Sequence, residues 1–317
     1  MIEFDYLYKG LCGLARAHQV GGLAGHLGAA LIVGYFFGED QHKLDPQVHR
    51  AIEQDLDRII KGEESIWYDQ KKVGVAIPEL FKPFPKERPQ QDATKLIAQA
   101  LAANIDQTRQ SGHNVIFAST AIRALHDHPE YATPSITSGV VKLIAGFNGA
   151  VPGRGYYGKQ RGWIVGNKVT LPEDKQFPLY ASEQALANVV IDDLVEFASK
   201  HRRGFGGLFH IINHAAGLTE LARYGHKELA LKGRPAHRQH VQLWRTLPVL
   251  DEELGALKPS PHDPRTPQYW TLDTPSAFSA RLTHRIKTLY GFFTLLPFIE
   301  SEDERKQAQQ QFLYLMG

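Results

Sequence analysis

The run from Gly25 to Gly38, GHLGAALIVGYFFG, holds no ionisable side chain except Tyr35 and the histidine near its start. Such a stretch has to leave water, either into a protein core or into a membrane. A buried imidazole must then find a hydrogen-bond partner or a ligand. The pattern recurs three times. His113 heads Asn114 to Ile122, His210 heads Ile211 to Leu218, and His284 heads Arg285 to Phe293. Four mostly apolar segments therefore carry a polar, metal-capable group near their starts. The reading is that all four converge on one buried site.

Val20 to Gly38 approaches the roughly 20 residues that a spanning helix needs. It is rich in glycine, contains His26, and is followed by Glu39-Asp40, so a buried core helix is the expectation. The negative mean hydropathy of −0.31 agrees. With 36 basic and 34 acidic residues, the chain lacks the electrostatic footprint of a nucleic-acid binder. Cys12 is the one cysteine, so intrachain disulfides and cysteine-based zinc motifs are excluded, and a reducing, cytoplasmic setting is expected.

Periodicity predicts a mostly α fold. Helical spacing runs over 5–18, with Gly21-Gly22 as a break before the His26 segment. Asp45-Pro46 gives an N-cap followed by proline and opens an amphipathic helix to about 62. Residues 62–89 read as a structured loop, with Trp67, Tyr68, Phe81 and Phe84 set among prolines. Helical spacing returns over 91–108, and Thr133-Pro134 opens a further helix after the His113 segment. Tyr156 to Gly158, Trp163 to Val165 and Lys168 to Leu171 suggest a small β-hairpin near 155–171. Ser182 starts a helix that reaches about Lys200. The His210 segment follows, with an amphipathic partner over 237–247. A loop spans 250–273, Thr274-Pro275 caps the His284 helix, and Ser301-x-x-Glu304 opens the last one. Buried helices thus alternate with amphipathic ones. The histidines are unequally spaced, so a strict repeat is excluded. A single domain, a helical toroid or irregular bundle over 1–317, is the expectation.

Neutral imidazole is a good ligand for iron, zinc, copper or nickel. His210 and His214 are four apart and share a helix face, as do His284 and Lys287, three apart. A buried lysine next to a metal is costly as an ammonium. Lys287 therefore reaches water, is neutral and acts as a base, or is carboxylated to an anionic oxygen ligand. Gly204-x-Gly206-Gly207 lacks the strand and lysine of a phosphate loop. Ser119 and Ser182 lack a nucleophile elbow. Asp192-Asp193 reads as a solvated face, and Asp69 as an unpositioned further ligand.

These segments resemble the questin oxidase-like proteins. The His26 stretch is similar to that family's N-terminal histidine motif. Gly112 to Ile116, running on to Leu125, is similar to the second motif, Leu208 to Leu218 to the third, and His284-x-x-Lys287 to the C-terminal one. Gly25 stands where the family often has asparagine, and Leu282-Thr283 where acidic residues are usual. The resemblance implies oxidative cleavage of aromatic polyketide rings such as anthraquinones, with NADPH as an external reductant in some members. It also implies a non-haem Fe(II) centre with a carboxylated lysine. No G-x-G-x-x-G fingerprint is visible, which favours a metal over bound NADPH or flavin.

The expected function is a non-haem metal-dependent oxygenase that takes dioxygen and a small aromatic substrate. His26, His113, His210 and His284 ligate the metal, with carboxylated Lys287 as a fifth ligand. His214 replaces or orients a ligand, and Trp67, Tyr68, Phe81 and Phe84 roof the cavity. Two alternatives stand beside it: a metal-free helical protein that binds an apolar small molecule, and a metal-dependent hydrolase. No nucleic-acid or membrane partner is expected.

Overall fold

A computed structural model describes residues 1–172, 179–271 and 280–317. The expected Thr274-Pro275 cap lies outside them. The described residues form fifteen α-helices and one two-stranded ribbon, so the fold is mostly α with a small hairpin. The chain divides into two compact units, one of 1–103, 117–148 and 262–290, the other of 104–116, 149–261 and 291–317.

The first unit begins with α1 (Asp5–Val20) and α2 (Gly25–Asp40), separated by a short 3-10 turn at Gly22–Ala24. Every residue of α2 from Gly25 to Gly38 is buried. Its packing on α1 depends on Gly28, where a Cβ would come 2.3 Å from the backbone nitrogen of Leu14. No side chain fits there, so the two backbones touch and the apolar run is enclosed on that side. α3 (Pro46–Lys61) then covers α2 with Val48, Ile52, Leu56 and Ile59. Asp45 caps it by accepting from the amide of Gln47. No described helix is long and apolar enough to cross a membrane.

Two one-turn helices follow, α4 (Gln70–Val73) and α5 (Ile77–Leu80), and then α6 (Ala93–Ala102). α6 stops six residues short of the 108 that its spacing predicts. α7 (His113–Asp127) has its first four residues in the second unit and Phe117–Asp127 in the first. α8 (Pro134–Ala145) packs on α1 and α6. Thr133 precedes it in extended backbone but gives no side-chain cap. Glu87 does that work from a distance, accepting from the amide and hydroxyl of Ser135 at 2.9 and 2.6 Å.

The second unit holds the ribbon, β1 (Arg154–Tyr156) antiparallel to β2 (Trp163–Val165). Lys168 to Leu171, expected to extend it, is not a strand; a 3-10 turn at Gly166–Lys168 ends β2. α9 (Glu183–Phe197) starts at Ser182, whose hydroxyl accepts from the amide of Ala185. It ends three residues before the expected Lys200. α10 (Gly207–Arg223) packs on α11 (Lys227–Arg245). α11 begins ten residues earlier than the expected 237, because the helix runs through Pro235. A proline inside a helix forfeits one backbone hydrogen bond, and here its exposed ring lets the break face water.

Two further single turns, α12 (Asp251–Leu254) and α13 (Pro267–Trp270), interrupt the stretch expected to be loop. α14 (Arg281–Leu295) belongs to the first unit up to Tyr290 and to the second from Gly291. α15 (Glu302–Met316) opens at Ser301, which accepts from the amide of Glu304, and packs on α9.

Asp193 overturns the expectation of a solvated face. It is 1% exposed and accepts from the Arg245 guanidinium at 3.0 Å. Burial pushes its carboxyl up to about 6, against the pull of Arg245. Leu186, Val190 and Leu194 form the buried face of α9, and Asp193 joins them because Arg245 of α11 reaches over it, a contact that helical spacing does not encode.

Candidate functional site

In the first unit, His26 is the second residue of α2 and His284 the fourth of α14. Their ring centroids are 5.1 Å apart, and a nitrogen of one lies within 4.8 Å of a nitrogen of the other. Each donates Nδ1–H to a carbonyl of the preceding turn, His26 to Leu23 and His284 to Ala280, both at 2.8 Å. That bond fixes the tautomer, so the lone pair sits on Nε2, the form in which an imidazole binds a metal.

Trp67 stacks on the His26 ring at 3.8 Å and meets His284 edge-on at 5.6 Å. Its indole N–H donates to Glu64 at 2.8 Å. Glu64 is fully buried and also accepts from the hydroxyl and amide of Thr283. One carboxylate thus ties the aromatic wall to the helix that carries His284. Sequence reading passed over Glu64, since nothing local separates it from exposed Glu63 beside it.

Lys287, one turn beyond His284, is buried, and its Nζ meets no hydrogen-bond partner among the described residues. Reaching water is therefore ruled out. Burial draws its amine down to about 7, against the attraction of Glu64, so a large neutral fraction exists at neutral pH.

The expected aromatic roof is mostly employed elsewhere. Phe81 is buried against Gly13, the Arg16 guanidinium covers Phe84 at 3.7 Å, and Tyr68 donates to the Val75 carbonyl. Of the four, Trp67 faces the imidazoles. Asp69 caps α4 through the amides of Lys71 and Lys72.

In the second unit, His113 begins α7 and His210 lies in the first turn of α10. Their ring centroids are 4.6 Å apart, nearly perpendicular, and both residues are buried. Both helices are entered through left-handed backbone. Gln110, Ser111 and Gly112 precede His113 with φ of 43°, 60° and 84°. Amides of the first two donate to Val151 and Pro152, which holds the turn. Gly204, Phe205, Gly206 and Gly207 precede His210, all with positive φ. A Cβ on Gly206 would lie 2.3 Å from His210 Cγ, and one on Gly112 would lie 2.6 Å from His214 Cγ. The glycine-rich stretch weighed as a phosphate loop thus serves to make a sharp entry and leave room for a ring.

His214 departs from its expected partnership with His210. It is fully buried, with its ring 5.0 Å from His237 and its Nδ1 3.3 Å from Nδ1 of His240. His240 Nε2–H donates to the Phe205 carbonyl at 2.7 Å, so its Nδ1 accepts. His214 Nδ1 must therefore donate, which leaves the lone pair on His214 Nε2. That atom meets no hydrogen-bond partner among the described residues. His237 donates to the Ile211 carbonyl and accepts from Tyr180. Burial pulls all three imidazoles down, with repulsion from neighbouring imidazoles adding to it at His214 and His237; His237 falls to about 3 and His240 to about 4, so the cluster stays neutral. His237, His240 and Tyr180 escaped the sequence reading. The signal available was two histidines three apart on one face of α11.

What fold and geometry define is a helical protein with two pairs of imidazoles, three of the four rings buried and His284 half-buried, each pair drawn from distant parts of the chain. Beyond that class, no family model, curated protein or solved structure matches the sequence.

Proposed function

We propose that this protein is a non-haem iron oxygenase acting on an aromatic, polyketide-like small molecule in the cytoplasm. The observation that supports it best is the double pairing: His26 with His284 in the first unit, and His113 with His210 in the second. The His214, His237 and His240 cluster is held by its own hydrogen bonds, whereas the rings of these two pairs approach each other nearly perpendicular, as ligands of a common ion would. The donor set fits a divalent first-row metal, since two of these rings hold Nδ1–H on a carbonyl and so offer Nε2. Ferrous iron there would supply the redox chemistry with dioxygen.

The residues of the chain would do the rest. His26, His113, His210 and His284 hold the metal. Lys287, held neutral in part by its burial, has the nucleophilic amine that carbon dioxide requires, and as a carbamate would add an anionic oxygen ligand. The carbamate also removes the conflict between a buried ammonium and a cation. Trp67, clamped by Glu64, offers a flat apolar wall beside His26 for an aromatic ring. His214 stays neutral and is fixed in one tautomer by His240 on α11, so its Nε2 lone pair would be the substitute ligand. NADPH is proposed only as a soluble reductant.

The test is metal analysis of protein purified without added metal, followed by oxygen uptake with a hydroquinone. One Fe(II) bound per chain, lost in the His26→Ala and His210→Ala variants, together with oxygen uptake, is expected. No transition metal and no Fe(II) uptake would overturn the reading in favour of a metal-free binding protein. Bound metal with ester hydrolysis and no oxygen uptake would favour a hydrolase.

A further inference from the structure

A cavity lies in the second unit and uses none of the imidazoles. It measures about 630 Å³, within the range of small-molecule sites. The last turns of α10, the first turns of α11 and the start of α9 surround it, with Pro297 and Phe298 closing one side. Its walls are largely apolar: Ala222, Leu231, Pro297 and Phe298.

The charges in it do not cancel. Arg234 is buried and spends its guanidinium on Glu183 at 2.8 Å and on the Tyr180 carbonyl at 3.0 Å. Arg223 is matched by Glu220 at 3.7 Å. Both acids of the lining are thus engaged by arginines. Lys227 is left over, and no described residue forms an ion pair with it. It stands at the first position of α11, where the helix adds partial positive charge from its first amides. One surplus positive charge at an apolar cavity matches a ligand with one negative charge and an apolar body. Leu231, 51% exposed at the same cavity, is an apolar side chain that such a body would cover.

We propose that this cavity binds a small amphiphilic monocarboxylate, its carboxylate on Lys227 and its apolar body against Leu231, Pro297 and Phe298. The site does not depend on the iron reading. The test is calorimetric titration of the whole protein with decanoate, with decyltrimethylammonium as the same tail bearing the opposite charge. Saturable 1:1 binding of decanoate is expected, with none of the cation. Lys227→Glu and Leu231→Asp each change an exposed side chain and are expected to leave the fold intact by circular dichroism. Each should weaken decanoate about tenfold or more, the scale of one charge-assisted contact or one buried alkyl group. Metal content should stay unchanged in both, which separates this site from the proposed iron ligands. No saturable binding to the unaltered protein, equal binding of both tails, or affinity indifferent to the two variants would overturn the proposal.

Discussion

Replacing Lys287 with methionine removes a buried amine while keeping an unbranched side chain of similar length. The effect can be worked out from the environment of Nζ. Burial draws the amine from an ordinary 10.5 down to about 7 in the folded protein. Between those values the unfolded chain holds a proton that the folded chain has lost. Stability therefore rises with pH across that window, by about 1.4 kcal/mol for each pH unit. Below pH 7 both states are protonated and the full cost of the buried charge, about 5 kcal/mol, is present. Methionine carries no such cost. The stability advantage of Lys287→Met over the unaltered protein should be largest at pH 6 and should shrink by about 3 kcal/mol by pH 9. The assay is urea unfolding of both proteins at pH 6, 7, 8 and 9, in metal-free buffer purged of bicarbonate so that the amine stays unmodified. Subtracting one curve from the other removes groups common to both. A difference that stays constant from pH 6 to 9 would refute the reasoning, because the amine would then be titrating alike in the folded and unfolded states.

Three further outcomes follow from the same geometry. Trp67→Phe keeps the ring against His26 but takes a donor from buried Glu64; a loss of about 1–3 kcal/mol is expected in urea unfolding, and an unchanged midpoint would place that carboxylate in water. Gly112→Ala strains a residue at φ 84° and drives a methyl group into His214; a loss of about 2–4 kcal/mol is expected, checked by thermal unfolding, whereas Gly74→Ala, also at positive φ but in open space, should cost only the backbone part. Asp193 is raised from 3.8 to about 6, so the folded state holds its proton longer and stability falls as pH rises through that window, by about 3 kcal/mol. Asp193→Asn should flatten that slope between pH 4 and 6.5; an unflattened slope would assign it to other carboxylates.

Helix locations were legible in the sequence wherever a break or cap was local. Gly21, Asp45-Pro46, Ser182 and Ser301 each act within a few residues of themselves, and each marks a helix start or stop in the structure. The misplaced boundaries have tertiary causes. Asn104, just past the early end of α6, is buried and hydrogen-bonded to Asn114; α8 does start at Pro134 as expected, although its cap comes from Glu87, far along the chain. Pro235, two residues before the expected start of α11, sits on an exposed face where its missing hydrogen bond is tolerated.

The candidate site divides along the same line. An apolar run headed by a histidine announces that an imidazole will be buried, because solvation alone demands it, and His26, His113 and His210 are buried as that predicts. Which imidazole meets which is a different matter. His210 and His214 share a helix face, yet one turns to His113 and the other to His237 and His240. Hydration preference is a property of each residue and can be read from the chain. Pairing is a property of where distant helices cross, and local spacing carries no record of that. Glu64 shows the same limit: its neighbour Glu63 has identical chemistry, yet Glu63 is an exposed partner of Arg58, while the arrival of Trp67 and Thr283 makes Glu64 a buried clamp.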